Sequence, residues 1–155
     1  FATGVFFFIM FIGGCAGSTT CSIKIFRYQV LYQTAKMQMK HLIRPHGIFI
    51  AKFNGQPITD EVENSVMSFF FLFMLTFAVL AGMLHFIGLD FLTAISAAAS
   101  AICNVGPALG DIIGPTGNYS TLPDSAKWVL SAGMLLGRLE LFTVLVLFAP
   151  WFWRG

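Results

Sequence analysis

Apolar and polar positions alternate along this chain in blocks rather than residue by residue. Phe1 to Ile12 is apolar and stops at Gly13-Gly14-Cys15-Ala16-Gly17-Ser18-Thr19-Thr20, eight residues with three glycines and three hydroxyl side chains. Each glycine costs a helix about 1 kcal/mol relative to Ala, so the spacing predicts a break. Such a break is either a loop at a membrane surface or an unwound segment within the bilayer that lines a cavity. From Ile23 to about Leu42, Lys24, Arg27, Lys36 and Lys40 are set among Ile25, Val30, Leu31 and Met37. That mixture predicts a helix leaving the membrane on its cytoplasmic side. Pro45-His46-Gly47 ends it, and Ile48 to Pro57, with Asn54-Gly55 as a turn signal, is expected to form a short hairpin.

Thr59 before Asp60, Glu61 and Glu63 has the form of an N-cap with an acidic first turn. Asn64 to Leu89 then carries no Asp, Glu, Lys or Arg over 26 residues, enough to span a bilayer with some tilt. The next apolar run, Phe91 to Pro107, is too short to do so. Read as a helix to Cys103, it covers roughly 20 Å against a hydrocarbon core of about 30 Å. It is expected to enter the membrane and turn back at Asn104-Val105-Gly106-Pro107, where Gly takes positive φ and Pro removes a donor. Carbonyls left bare at membrane depth persist only beside protein or water, and with the negative helix end they form a site suited to a cation. Gly106 by itself is equally a plain helix-terminating glycine. Ala108 to Pro123, dense in Gly, Pro and Asn, predicts an external loop. Lys127 to Trp153 is a last apolar segment, interrupted by Arg138 and Glu140 and closing on Pro150, Trp151, Trp153 and Arg154, which suits the cytoplasmic face.

Composition turns these segments into a class. Of 155 residues 57% are hydrophobic and 10% charged, whereas a soluble domain has about 25% charged residues. The fold class is therefore all-α integral membrane. Six of the nine Lys and Arg fall between Lys24 and Lys52, which reads as a cytoplasmic connection rather than a nucleic-acid patch. Cys15, Cys21 and Cys103 make neither an even disulfide framework nor a paired metal site, and are expected to act as small apolar fillers. The chain opens on Phe1 inside an apolar segment with no initiator Met, and is expected to be the C-terminal part of a longer protein.

Arg138 is the residue that most needs a partner, since a charge in mid-membrane costs about 2.5 to 3.5 kcal/mol on insertion scales. Glu140, two residues on, points elsewhere on a helix. Arg138 is either a structural residue tied to carbonyls or an electropositive plug in a cation path. Ser96 and Ser100 suggest packing or back-bonding within their helix. Asp111 either concentrates cations at an outer mouth or is a solvated loop carboxylate. His85 and Asp90 have the H-x-x-x-x-D spacing of glycerolipid acyltransferases, but nothing downstream matches that chemistry, so no enzyme is indicated. His41 and His46 lack metal-ligand spacing, and Gly13 to Thr20 lacks the Lys of a phosphate-binding loop.

The half helix with CNVGPALG and GPTGNYSTLP, followed by MLLGRLELFTVLVLFAPWFWR, closely resembles the fourth pore repeat of bacterial TrkH/TrkG potassium-uptake subunits, within the Trk/Ktr/HKT superfamily. FFFIMFIGGCAGSTTCSIKIFR is similar to the second helix of the third repeat with its intramembrane loop. The resemblance implies helix, re-entrant pore helix, helix repeats around one pore. Residues 1–44 would be the end of the third repeat, broken by the loop at 13–22. Residues 45–58 would be a cytoplasmic connection. The fourth repeat would fill 59–155, as helix 59–89, pore helix 91–103, filter 103–107, external loop 108–123 and helix 124–153.

It further implies that carbonyls of Cys103, Asn104, Val105 and Gly106 bind K+ as a selectivity filter. Gly13, Gly14, Gly17, Ser18, Thr19 and Thr20, with Arg138, would form the gate below it. Many relatives carry further glycines where this chain has Thr20, Cys21 and Ser22. The implied setting is the bacterial inner membrane, with 23–58 and the C-terminus cytoplasmic and 108–123 periplasmic. The implied partners are a cytoplasmic TrkA-type nucleotide-binding subunit, a second copy in a homodimer and membrane lipid, with no nucleic acid. The alternative is a cation-coupled secondary transporter, a symporter with broken helices.

Overall fold

The computed structural model describes residues 2–14, 21–47, 49–50, 52–53, 55–110, 113–114 and 117–139. In chain order these form α1 (Ala2–Met10), α2 (Ile25–Ile43), β1 (Lys52–Phe53), β2 (Gln56–Pro57), α3 (Asp60–Phe86), α4 (Phe91–Cys103), a 3-10 turn (Tyr119–Thr121) and α5 (Asp124–Arg138). The centre of the packing is α4, an apolar helix of 13 residues. From Thr93 to Cys103 every residue of α4 is buried except Ile95, which is half-buried. Its main neighbours are α5 and α3, with α1 against its far side.

Composition explains how a helix can be so enclosed. Ala94, Ala97, Ala98 and Ala101 are all at most 1% exposed, and Ser96 and Ser100 are fully buried, so neighbouring backbones approach closely. Opposite them α5 presents Gly133 and Gly137, one helical turn apart. A Cβ on Gly133 would lie 3.0 Å from Leu80 Cδ1 and 3.5 Å from the Ala101 Cβ. These are positions where a side chain would hold two helices apart.

The long helix α3 buries one stripe, Val66, Phe69, Phe73, Leu80 and Leu84, at three- and four-residue spacing. Its opposite side is apolar as well: Phe71 is 69% and Phe86 93% exposed. A helix apolar all round is one surrounded by lipid or by further protein, and among the described residues α3 is the one helix long and apolar enough to cross a membrane. The basic helix α2 packs on it through aromatic faces. The Arg27 guanidinium lies 3.7 Å from the Phe69 ring centre, and Tyr28 meets Phe70 edge to face.

Element ends depart from the sequence pattern in instructive ways. The apolar run to Leu89 suggested a helix to that point, but α3 stops at Phe86 because Gly88 takes φ +104°. Leu89 N–H then donates to the Leu84 carbonyl and Gly88 N–H to that of His85, the paired bonds of a Schellman stop. Thr59 does occupy the N-cap position of α3, but its hydroxyl makes no capping bond; its carbonyl accepts from Val62 and Glu63. Asp60, Glu61 and Glu63 provide the acidic first turn. Lys52–Phe53 and Gln56–Pro57 pair antiparallel, with Gly55 at φ +83° in the turn. The segment beyond 139, including Glu140 and the closing aromatics, lies outside the described residues, as do Cys15, Asp111 and the loop residues Gly17, Ser18, Thr19 and Thr20.

Candidate cation pathway

The end of α4 is built to leave carbonyls open. Asn104 takes the left-handed conformation, φ +52° and ψ +41°. Its N–H donates to Ala101, and Val105 N–H reaches back to Ser100, so this too is a Schellman stop, with Asn at the position usually given to Gly. The helical partner of the Cys103 carbonyl would be Pro107, and proline has no N–H. The Ala108 N–H, which would serve Asn104, donates instead to Ile113, at 3.0 Å. Among the described residues, no donor reaches the carbonyls of Cys103, Asn104 or Val105.

Gly106 differs from those three. It sits at φ +104°, and its carbonyl accepts two hydrogen bonds, from Ser100 Oγ at 2.9 Å and from the Tyr119 hydroxyl at 2.5 Å. Both lone pairs are engaged, so in this conformation the Gly106 carbonyl helps to fix the shape of the turn. Ser96 works one turn earlier, donating to Leu109 at 2.9 Å and contacting the Thr93 carbonyl at 3.3 Å. The back-bonding expected of Ser96 is therefore present, while Ser100 and Tyr119 as supports of the turn had no signal in the sequence pattern. The turn is also fastened to α5: Asn104 Nδ2 donates to the Met134 carbonyl at 2.9 Å, and a Cβ on Gly137 would lie 2.0 Å from the Ile102 carbonyl oxygen.

Opposite the turn, α1 ends and the chain crosses itself. Residues 11–14 run parallel to 23–25, with Gly13 N–H donating to Ile23 at 2.9 Å and Ile25 N–H to Gly14 at 3.2 Å. The excursion between them starts and finishes at nearly one place. Gly13 is required there, since a Cβ would meet the carbonyl oxygens of Cys21 and Ile23 at 3.0 Å each. Carbonyls freed at the end of α1 are capped from the returning chain: Ser22 Oγ donates to Met10 at 2.9 Å and Tyr28 Oη to Phe11 at 3.2 Å. Ser22 itself lies at φ +74°, a conformation glycine adopts without strain.

These two features share a cavity of about 500 Å³, lined by Gly13, Cys21 and Ser22 on one side and Cys103, Asn104, Val105 and Pro107 on the other. Arg138, the last residue of α5, reaches the loop side of it, with Nη1 3.9 Å from Cys21 Sγ. Of the candidate gate residues, Gly13, Gly14 and Arg138 are thus described and lie by one crossing. His85 and Asp90 form no dyad: His85 Nδ1 pairs with the Leu89 carbonyl at 3.1 Å and the ring packs edge-on against Phe91.

The sequence model of the TrkH family, described as a cation transport protein, matches residues 1–154. The chain belongs to the TrkH family. Trk system potassium uptake protein TrkI of Halomonas elongata is 53% identical over 149 residues, covering 96% of this chain and 30% of its own length. TrkH of Vibrio parahaemolyticus is 39% identical over 148 residues, with the same two coverages. The crystal structure of the potassium transporter TrkH from Vibrio parahaemolyticus superposes with a TM-score of 0.88 at 37% identity, over 98% of this chain and 32% of that one. The chain therefore spans about a third or less of the TrkH-family proteins it matches. Those relatives are named for potassium uptake or transport, and none of them for catalysis.

Proposed function

We propose that this chain supplies one quarter of the wall of a potassium-conducting pore, in a TrkH-type uptake protein of the bacterial inner membrane. The observation that carries this is the turn after α4, where carbonyls of Cys103, Asn104 and Val105 stand without hydrogen-bond partners among the described residues, at the negative end of a buried helix, and the three residues line a shared cavity. Carbonyl oxygens so arranged replace an alkali cation's hydration shell while binding weakly enough to release it. Gly106 completes the filter strand by shaping it. Potassium is the cargo. In this reading 1–44 closes the third pore repeat, 45–58 connects on the cytoplasmic side, and 59–155 is the fourth repeat, with 108–123 periplasmic.

The crossing below the turn is the gate. Gly13, Gly14, Gly17, Ser18, Thr19 and Thr20 form the obstructing loop, and Arg138 holds it by charge and hydrogen bonding while adding an electropositive barrier to a passing cation. A cytoplasmic signal shifts the loop between two states. A TrkA-type nucleotide-binding subunit delivers it, docking on the lysines of α2 and the hairpin, Lys36, Lys40 and Lys52, which line one groove. A second copy in a homodimer and anionic lipid complete the surroundings.

The test is rubidium flux into proteoliposomes that hold the complete protein, with no co-substrate present. Flux without a co-substrate supports a pore, and a strict requirement for one supports a cation-coupled symporter instead. In the same assay Arg138→Ala is expected to raise basal flux severalfold, because removing about 1.4 kcal/mol of barrier corresponds to a factor of ten. Unchanged or lower flux from folded variant protein would argue against Arg138 as part of the gate.

A further inference from the structure

The turn after α4 and the crossing before α2 both meet one stretch of α5, Met134 to Arg138. Asn104, the left-handed residue of the turn, donates from Nδ2 to the Met134 carbonyl at 2.9 Å. In a regular α-helix that carbonyl already accepts the N–H of residue 138, so the Asn104 amide takes the oxygen's second lone pair. Gly137, between these two positions, lets the helix close on the turn. A Cβ there would collide with the Ile102 carbonyl and lie 3.1 Å from Asn104 Nδ2. One residue on, Arg138 reaches the returning chain, with Nη1 3.9 Å from Cys21 Sγ. The same helical turn therefore holds Asn104 by its backbone and touches Cys21 by its side chain.

We propose that Asn104 is a positioning residue that couples the filter to the gate: its side chain fastens the filter strand to the turn of α5 that carries Arg138. The proposal rests on the pore reading given above. Residues 134–138 share one turn of helix and shift as a unit, so a displacement of Arg138 against the loop is carried to the carbonyl strand through the Asn104 amide. Asparagine suits both tasks at this position. It tolerates the left-handed backbone that most side chains resist, and it brings a donor that glycine, the usual residue of such a stop, lacks. Glycine would end α4 equally well and leave the turn unfastened to Met134. The coupling is reciprocal, so a change at the gate biases the filter as strongly as a change at the filter biases the gate.

The test is a double-mutant cycle on the complete protein in proteoliposomes, read as rubidium uptake and as its competition by sodium. Asn104→Gly keeps the left-handed backbone and removes the side-chain tether. It is expected to lower discrimination against sodium about fivefold and to raise basal flux about threefold, the scale set by one hydrogen bond. With Arg138→Ala already present, Asn104→Gly is expected to add less than about twofold to basal flux, because the gate it acts through is already released. Flux effects that simply multiply, or an Asn104→Gly protein that matches the unaltered one in both readouts, would overturn the coupling. A merely structural role for Asn104 lowers stability without making the two flux effects interdependent. Should Asn104→Gly fail to fold, Arg138→Ala decides alone. Its lost charge acts alike on sodium and rubidium, so lowered discrimination reports an altered filter, and unchanged discrimination contradicts the coupling. Failure of the pore reading is separate: it shows in the unaltered protein, as a strict requirement for a co-substrate.

Discussion

Gly137→Ala is expected to destabilise the protein by about 3 kcal/mol, the upper end of the usual cost of overpacking. The added Cβ would stand 2.0 Å from the Ile102 carbonyl oxygen, 2.8 Å from its carbon and 3.1 Å from Asn104 Nδ2. Two of those atoms are backbone at the last turn of α4, which is itself buried, so neither helix can yield without shifting the turn. The substitution also threatens the Asn104 bond to Met134, one that contributes about 1 kcal/mol. Gly133→Ala is the informative comparison. There the nearest atom, at 3.0 Å, is Leu80 Cδ1, the end of a side chain with rotamers available, and the expected loss is about 1 kcal/mol. Thermal unfolding in detergent should rank unaltered protein, Gly133→Ala and Gly137→Ala in falling order. Equal midpoints for Gly137→Ala and the unaltered protein would mean that α4 and α5 are not seated as described.

Removing both supports of Gly106, with Ser100→Ala and Tyr119→Phe together, is expected to reduce discrimination of potassium over sodium by about tenfold. Each hydrogen bond contributes about 0.5 to 1.5 kcal/mol net, and 1.4 kcal/mol is a factor of ten in relative affinity. The two donors come from different elements, Ser100 from within α4 and Tyr119 from the outer 3-10 turn. Either alone leaves the Gly106 peptide partly anchored, so single variants should fall between. Losing both frees a carbonyl at φ +104° to rotate toward the cavity and change the number of oxygens offered to an ion. Competition of sodium against rubidium uptake measures this. A double variant that folds and keeps its selectivity would show that the fastening of Gly106 has no part in ion choice.

The elements were legible where run length alone decides. The charge-free stretch from Asn64 carries α3, and the shorter run from Phe91, rich in Ala and Ser, carries α4. Asn54-Gly55 marked the hairpin, because only a few residue pairs satisfy a two-residue turn. The extra residues assigned to α3 had their own stop signal in Gly88, masked by apolar neighbours. The Gly133 and Gly137 pair was readable as a small-residue spacing on a helix, but the sequence does not say which helix it meets.

The site was less legible, for a physical reason. Pro107 and Gly106 advertise a turn with missing donors, whereas Asn104 as its left-handed residue carries only a weak local signal. Ser100 and Tyr119 meet on one carbonyl through the path of a loop, and Ser22 meets the Met10 carbonyl where the chain crosses itself. Neither encounter has a local pattern to announce it. Ser22, at φ +74°, holds a backbone shape that its residue type does not suggest. Its hydroxyl finds the Met10 carbonyl, so a side-chain bond accompanies strain that a glycine would avoid.

The central claim is that unpaired carbonyls after α4 hold the transported ion. Crystals of the complete protein grown with thallium or rubidium in place of potassium, and measured for anomalous scattering, test it directly. The account predicts an anomalous peak in contact with the carbonyl oxygens of Asn104 and Val105, above the cavity that Gly13 and Cys21 line. A protein that conducts rubidium yet shows its peak only elsewhere, with those carbonyls free of any ion, would contradict it.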